Sequence, residues 1–233
     1  MSIYSNKHIL TLKTLFVEAL VRLEKSQHRI EVRPKFGGRI IGYDKKSKRA
    51  IEKFTISASH RSEEQSRLAY LPCPIGEVGN QLYVKESWSY HFGVRAGVPG
   101  VFIRYTADDT ERFIPEHDYP QGWQAPNVKE NTHLPPPTLP KVFCRFLATI
   151  TEIRVERLLE ISHEDAIREG VGGLRVNNIF KYQNYHQYTG KLHPTLLSPI
   201  DSYLTIWESD RGEEFVQKNP FVWVVSFDFK ELL

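Results

Sequence analysis

The chain has 233 residues, of which 40% are hydrophobic, and it carries a formal net charge of only +3. Such a chain can bury a real core and fits one elaborated domain or two small ones. A net charge this small gives no case for a polyanionic partner from total charge alone. The aromatic content of 12% suits strands better than a helical bundle, so we expect a mixed α and β fold.

Two cysteines, Cys73 and Cys144, lie far apart, with no Cys-x-x-Cys motif and no Cys/His cluster. This pattern excludes a disulfide framework and a structural zinc site, so we expect neither a metal nor a cofactor. No apolar run approaches the roughly 20 residues that span a bilayer, and Met1 to Lys13 lacks an apolar signal core. We therefore expect a cytoplasmic protein with no membrane partner.

The first predicted elements are a strand at Ile9 to Leu12 and a following helix that Thr14 can cap. Leu15, Ala19 and Leu23 fall on one stripe of that helix, which should dock on a sheet. The helix end should deliver the segment Lys25 to Arg29 to a polar turn, followed by an extended strand from Ile30 to Pro34.

Residues 35–71 are rich in Gly, Ser, Lys and Arg and predict a basic hairpin with a mobile loop. Between Val17 and Arg67, thirteen Lys or Arg stand against seven Asp or Glu, whereas the last 34 residues hold three against seven. This asymmetry would give one face of the domain a positive field, as phosphate binding requires. Solvated basic loops without a partner would give the same count.

Residues Gln81 to Lys85 alternate between apolar and polar, which predicts a half-buried strand, and the next strand is predicted at Val101 to Tyr105. Residues 115–140 form a proline-rich loop within the domain, because proline removes backbone donors and fixes an extended path. A long alternating strand is expected from Phe143 to Arg157, with Phe146, Ala148, Ile150 and Ile153 facing inward.

Ser162, followed three residues later by Asp165, resembles a capping box, and Gly170 stands where a helix of about two turns would end. Residues 177–197, which include Tyr182, Tyr185 and Tyr188, predict a tyrosine-rich insertion that packs on itself or forms an aromatic platform. A short helix should carry Tyr203, Ile206 and Trp207. The apolar strand at 221–229 should close a barrel through its centre.

Five blocks of the sequence, in order, resemble the ASCH-domain proteins, especially their phage and prophage branch, which is often labelled morphogenetic protein. They are Lys25-Ser26-Gln27-His28-Arg29, Cys73-Pro74-Ile75-Gly76 with residues 79–88, Ile103 to Asp108, residues 150–171, and Asn219 to Phe227. The resemblance implies a single domain over residues 1–233. Its fold would be α+β, a PUA-like mixed β-barrel with two or three short flanking helices and long loops.

The resemblance also implies function. ASCH domains are thought to bind RNA, and a small bacterial branch removes the acyl group from N4-acetylcytidine with a Lys, a Thr three residues later and a Glu on the short helix. These positions fall on Lys25, His28 and Glu169. His28 therefore replaces the nucleophilic hydroxyl, and an imidazole there would have to act as a base.

Further binding residues follow from charge and ring type. Lys25, Arg29 and Arg33 offer cations for phosphate. Glu86 and Trp88 share one strand face because their spacing is two, so a base could stack on Trp88 with Lys85 or Glu86 at its edge. The alternatives are a solvated turn for the cations and core packing for Trp88.

Three functions stay open at this point. The first is a binding module whose basic cleft takes RNA, single-stranded nucleic acid or a modified nucleoside. The second is a hydrolase, either an amidohydrolase of N4-acylated cytidine or a nuclease-like enzyme, that uses Lys25 and Glu169. The third is a phage structural protein, or a protein that interacts with a phage or host partner.

Overall fold

The structure is a computed structural model that describes residues 8–22, 24–57, 64–187 and 194–232. Its class is α+β, rich in strands, as expected from the sequence. The strands, numbered along the chain, are β1 (His8–Thr11), β2 (Gln27–Glu31), β3 (Arg39–Asp44), β4 (Arg49–Ser57), β5 (Glu64–Leu71), β6 (Gln81–Lys85), β7 (Trp88–Arg95), β8 (Val98–Tyr105), β9 (Glu111–Pro115), β10 (Phe146–Arg157), β11 (Gly173–Val176), β12 (Ile179–Gln183), β13 (Pro194–Leu196) and β14 (Phe221–Glu231).

The α-helices are short, between five and thirteen residues. They are α1 (Thr14–Val21), α2 (His163–Arg168), α3 (Pro199–Arg211) and α4 (Glu213–Gln217). Helix α1 is present, but its N-cap is Lys13 without a side-chain cap bond, and Thr14, the predicted cap, is its first residue. Helix α3 contains the predicted Tyr203, Ile206 and Trp207. In the described ranges, no helix is long and apolar enough to cross a membrane.

The chain divides into two compact units. The first unit consists of Met1–Leu23, Gln81–Ala148 and Phe229–Leu233, and the second of Glu24–Asn80 and Thr149–Asp228. The long strands β10 and β14 therefore contribute residues to both units. The single domain implied by the resemblance stays a prediction.

The first unit contains a parallel pair and an antiparallel sheet. Strand β1 pairs with β6 from His8↔Leu82 to Thr11↔Lys85. Strands β7, β8 and β9 form an antiparallel sheet in that order. Its buried residues form one hydrophobic cluster with the loop that follows β9, and this cluster includes Trp88, Tyr105 and Phe143. Residues 116–138 are mostly irregular with short 3-10 turns, in agreement with the predicted proline-rich loop.

In the second unit, β14 lies between β10 and β2. Its register with β2 is antiparallel and runs from Val222↔Glu31 to Ser226↔Gln27. Residues 222–225 of β14 are all buried, which explains their unbroken apolar run. The apolar strand predicted at 221–229 is thus present as part of β14.

The basic segment of the second unit contains the expected hairpin, β3–β4, but β5 adds a third strand where part of a mobile loop was expected. Strands β3, β4 and β5 pair antiparallel, and the lysine-rich residues 45–48 form the turn between β3 and β4. The buried positions of β4 are Ala50 and Glu52, a small and a charged residue, so hydrophobic periodicity did not reveal the strand. Residues 58–63 lie outside the described residues.

The tyrosine-rich segment is also ordered where the structure describes it. Strands β11, β12 and β13 form a small antiparallel sheet. Tyr185 is buried, its hydroxyl accepts a hydrogen bond from the Gly172 amide at 2.9 Å, and its own amide donates to Thr205 Oγ1 in α3. The segment is thus fastened to α3. Tyr188, the third tyrosine of the run, lies outside the described residues.

The described strands do not close into a barrel: each sheet is open with two edge strands, including the one in which β14 lies between β10 and β2. This corrects the expectation of a barrel closed by β14. The alternating patterns within the strands predicted sheet positions, whereas closure depends on pairing between strands distant in sequence, which no local pattern contains. The PUA-like fold is therefore not established, and it stays a prediction.

Candidate functional site

The predicted residues Lys25 and Arg29 are buried, with 2% and 3% of their surface exposed, rather than placed on a solvated turn. Helix α1 ends at Val21, and the chain then enters β2, in which Gln27 and Arg29 face inward. The Ser26 amide donates to the Arg168 carbonyl at 2.9 Å, and the Ser26 carbonyl accepts from the Phe227 amide at 2.9 Å. Backbone bonds on both sides thus hold this segment inside the second unit.

Glu169 is placed by the capping of helix α2. Ser162 Oγ accepts the Asp165 amide at 3.1 Å, so the predicted N-cap is confirmed. Glu169 is the C-cap, and Gly170 follows with φ of +86°, a left-handed conformation that glycine adopts without strain. The Glu169 side chain has no exposed surface.

Lys25 and Glu169 meet although 144 positions separate them. The Lys25 ammonium donates to Glu169 Oε2 at 3.1 Å, to the Glu169 carbonyl at 2.9 Å and to the Gln27 carbonyl at 2.5 Å. An ammonium has three donors, so these contacts satisfy Lys25 completely. The pair implied by the ASCH resemblance is therefore in direct contact and closed to solvent.

Arg29 extends this pair into a network. Its guanidinium donates to Glu169 Oε1 at 3.0 Å, to Asp165 Oδ2 at 3.2 Å and to Glu156 Oε1. Arg154 binds Asp165 Oδ2 at 2.5 Å and Glu156 Oε2 at 3.2 Å. We call these residues the Glu169 cluster: Lys25, Arg29, Arg154, Glu156, Asp165 and Glu169. Three cations face three carboxylates, so the charges balance.

Sequence reasoning did not assign Arg154, Glu156 or Asp165 to the site. Arg154 and Glu156 are two apart in β10 and therefore share a face, which is the one local pattern that pointed to them. Asp165 was expected only to accompany the cap of α2. Their convergence on Arg29 depends on tertiary packing.

Burial and charge act in opposite directions on the central pair. Burial lowers the pKa of Lys25, although Glu169 opposes that change. Burial alone would raise the pKa of Glu169, but Lys25, Arg29 and His28 together bring it below its usual value. Burial also raises the pKa of Tyr203 well above its usual range. Glu169 is thus held as a carboxylate.

His28 lies beside the cluster, with Nδ1 3.9 Å from Glu169 Oε2 and 16% of its side chain exposed. It is the one predicted catalytic residue with a partly exposed side chain. The distance exceeds a hydrogen bond, so its effect on Glu169 is electrostatic. No serine or threonine hydroxyl stands at this position, and the cluster can transfer protons but offers no nucleophile there.

Arg33 lies apart from the cluster, at an open cleft of about 590 Å³ in the second unit. Its side chain is 69% exposed, and its Nε donates to Glu31 Oε2 at 2.9 Å. Arg211 of α3 donates to the same oxygen at 2.9 Å. We call this the basic cleft; its lining includes Ile30, Glu31, Arg33, Lys35, Arg211 and Trp223.

The three predicted residues of the first unit do not form a ligand platform. Trp88 has no exposed surface, and its indole Nε1 donates to Thr138 Oγ1 at 2.9 Å. A base cannot stack on it, so core packing replaces the predicted stacking role. Lys85 is near the surface, and its ammonium donates to the Pro137 carbonyl at 2.8 Å.

Glu86 is buried and holds a structural ion pair. Arg145 Nε and NH2 bind its two carboxylate oxygens, each at 2.8 Å, and Arg145 NH1 binds Asp108 Oδ2 at 2.6 Å. The Arg145 guanidinium also lies 4.5 Å from the Tyr105 ring centroid. These contacts use the carboxylate of Glu86 internally, which removes it from the predicted ligand set. Sequence reasoning missed Arg145.

Metal and thiol chemistry find no support in the residues that the structure describes. No group of three or more His, Cys, Asp or Glu side chains could hold a metal ion in that part of the chain. Burial raises the pKa of Cys73 to about 11 and that of Cys144 to about 12. Both thiols are therefore protonated at neutral pH and are weak nucleophiles.

Comparison of the chain with protein-family models, with curated proteins and with solved structures finds no match. The likeness to ASCH domains therefore rests on the sequence blocks alone. Fold family and function stay predictions, which the geometry of the two units can support or weaken.

Proposed function

We propose that this protein binds single-stranded nucleic acid or a modified nucleoside through the basic cleft of its second unit. The observation that carries the proposal is the juxtaposition of Arg33, Lys35 and Arg211 with an apolar lining at one cleft. The resemblance to RNA-binding ASCH domains points the same way, and with it comes the expectation of a PUA-like fold.

The cleft suits a nucleotide in size and in polarity. Ligand pockets span about 300–1,000 Å³, and the basic cleft holds about 590 Å³. Ile30, Pro72 and Pro74 supply apolar surface for a base, and the cations at the rim supply donors for phosphate. Glu31 offers a carboxylate, the acceptor that an exocyclic amine requires.

Unlike the cations of the Glu169 cluster, the cations of the basic cleft can contact a phosphate. Arg33 and Arg211 share the single carboxylate of Glu31, so two positive charges face one negative charge. Exposed ion pairs of this kind contribute little to stability and exchange readily. A phosphate could therefore engage either guanidinium without breaking a buried contact.

The experiment is fluorescence anisotropy of a labelled single-stranded RNA as salt is raised. We expect affinity to fall with salt, because phosphates release condensed counterions on binding. The double variant Arg33→Ala, Arg211→Ala should lower the slope of log affinity against log salt by about 0.7 for each phosphate contact removed. The matched control is Arg95→Ala, an exposed arginine of the first unit, which should leave the slope unchanged.

Two outcomes would contradict the proposal. One is an absence of binding at low salt, and the other is a salt slope that the double variant and the Arg95 control reduce equally. Repeating the titration with DNA of the same sequence would compare the two sugars, since the 2′-hydroxyl is the group by which a site tells RNA from DNA.

A hydrolase of acylated nucleosides is a second candidate. The observation that favours it is the contact of Lys25 with Glu169, the two positions implied by the resemblance, with His28 beside them. The full burial of both side chains and the missing hydroxyl weigh against it. Release of cytidine from N4-acetylcytidine by the purified protein is the test.

A further inference from the structure

Two phenylalanine rings stack at the surface of the second unit, outside the basic cleft described above. The ring centroids of Phe36 and Phe54 lie 4.9 Å apart, with an angle of 23° between the planes. Phe36 is 51% exposed. A large aromatic side chain that is both ordered and half exposed gains little from folding, which raises the question of what it contacts.

A buried carboxylate holds the loop that carries Phe36. Glu52 accepts the amides of Lys35 at 2.8 Å, Phe36 at 2.9 Å and Gly38 at 2.8 Å. These backbone donors bring the pKa of Glu52 below its usual value although burial opposes them. The chain is thus fixed on both sides of Phe36, so the ring is positioned before any ligand arrives.

Gly38 permits the close approach of this loop to β4. A Cβ atom at residue 38 would lie 2.2 Å from the Lys53 carbonyl oxygen, a distance that no side chain tolerates. The glycine therefore allows the loop to contact the strand next to Phe54. Gly38, the close backbone approach that it allows and the Glu52 carboxylate together place Phe36 on Phe54.

Cations surround the stacked pair. Phe36, Phe54, Arg39 and Lys53 line a shallow depression of about 500 Å³, and the Lys35 ammonium lies 5.8 Å from the Phe36 ring centroid. Lys35, Arg39 and Lys53 bring three positive charges to the rings, against the one negative charge of the buried Glu52. The surface around the rings is therefore positive.

We propose that Phe36 and Phe54 form a stacking platform for one base of a single-stranded nucleic acid, with Lys35, Arg39 and Lys53 along its phosphates. Aromatic faces beside cations are the combination that binds unpaired bases with little sequence preference. A duplex hides its base faces, so the platform selects single strands. The inference rests on the proposed nucleic-acid function and adds a contact apart from the basic cleft.

The test compares wild type with Phe36→Leu, which keeps an apolar side chain on Phe54 but removes the aromatic face. Two labelled single strands of equal length are titrated: one with bases, and one abasic strand with the same phosphates. Stacking is worth enough per base that the variant should bind the base-containing strand about 5-fold more weakly or worse. Binding of the abasic strand, which depends on phosphates, should not change.

The matched control is Phe92→Leu, an exposed phenylalanine of the first unit, which should leave both affinities unchanged. Equal binding of the base-containing strand by wild type and Phe36→Leu would overturn the platform while leaving the proposed function intact. An equal loss for both strands would also overturn it, because the effect would then not depend on bases. Failure of the wild type to bind either strand would refute the proposed function itself.

Discussion

The second unit places its cations in two contrasting environments. In the Glu169 cluster, Lys25 and Arg29 are buried and surrounded by carboxylates, whereas Arg33 and Lys35 are exposed beside the basic cleft. These four residues lie within eleven positions of one another, and the sequence suggested one basic site for all of them. The structure separates a region that maintains the fold from a region free to bind.

The difference between the two environments follows from what each cation gains by contacting a phosphate. A buried guanidinium that already contacts carboxylates gains nothing by meeting a phosphate, because its desolvation and pairing are complete. An exposed arginine keeps its solvent shell and can pair with a phosphate, which releases the counterions condensed on the nucleic acid. Replacing a buried cation should therefore lower the free energy of unfolding, whereas replacing an exposed cation should lower the affinity for nucleic acid.

The largest expected effect is on stability when the buried cluster is broken. Arg29→Ala removes the guanidinium that joins Glu169, Asp165 and Glu156, so three carboxylates of the cluster face only Lys25 and Arg154. The loss of a buried charged partner costs about 3–5 kcal/mol of unfolding free energy. Chemical denaturation followed by circular dichroism gives the value. Arg33→Ala is the matched control, since an exposed replacement should change stability by no more than about 0.5 kcal/mol. Equal costs for the two variants would contradict the contrast between the regions.

A smaller loss of unfolding free energy is expected when the loop held by Glu52 is disturbed. Glu52→Gln keeps the shape of the side chain but removes the charge that several backbone amides contact, which should cost about 1–3 kcal/mol. The control is Asp44→Asn at the end of β3, a partly exposed carboxylate that accepts the Lys46 amide, measured by the same denaturation. If the two cost the same, Glu52 is not what orders the loop.

The dependence of stability on pH should come partly from the cluster. The pKa values of Lys25 and Glu169 are both lowered in the folded protein. At a pH between the lowered pKa and the ordinary pKa of each group, the unfolded chain binds more protons than the folded chain. The free energy of unfolding therefore rises with pH in that range. For Glu169 this stability is fully present above its ordinary pKa of 4.5 and is lost as pH falls through the lower folded value.

Glu169→Gln should therefore flatten the acid side of the stability profile relative to wild type. The measurement is the unfolding free energy from denaturant titrations at several pH values between neutral and acid. The control is Asp108→Asn, because Arg145 lowers the pKa of Asp108. This variant should change the unfolding free energy at acid pH but leave the part of it that comes from Glu169 unchanged. A profile of Glu169→Gln parallel to that of wild type would contradict the assigned pKa direction.

Local rules predicted much of the fold. The N-cap Ser162, the helix end at Gly170 and the strand Gln81–Lys85 follow from a few neighbouring residues, and each was predicted correctly. The burial of Arg29 could not be predicted in this way, because its partner Glu169 is 140 positions away. A hairpin was predicted for the basic segment, but the bounds of β4 were not, because its buried positions include the charged Glu52, whose partners are backbone amides that the sequence does not reveal.

The smallest expected effect concerns catalysis at the buried cluster. We expect hydrolysis of N4-acetylcytidine to be absent or very slow, because the position at which the resemblance places a threonine hydroxyl holds His28, and Lys25 and Glu169 are closed to solvent. The assay follows cytidine release by wild type and by His28→Thr, which restores the hydroxyl. Activity gained only in the threonine variant would indicate an intact pocket that lacks its nucleophile. Clear turnover by wild type would contradict this prediction, and its loss in Glu169→Gln without unfolding would assign a catalytic role to Glu169.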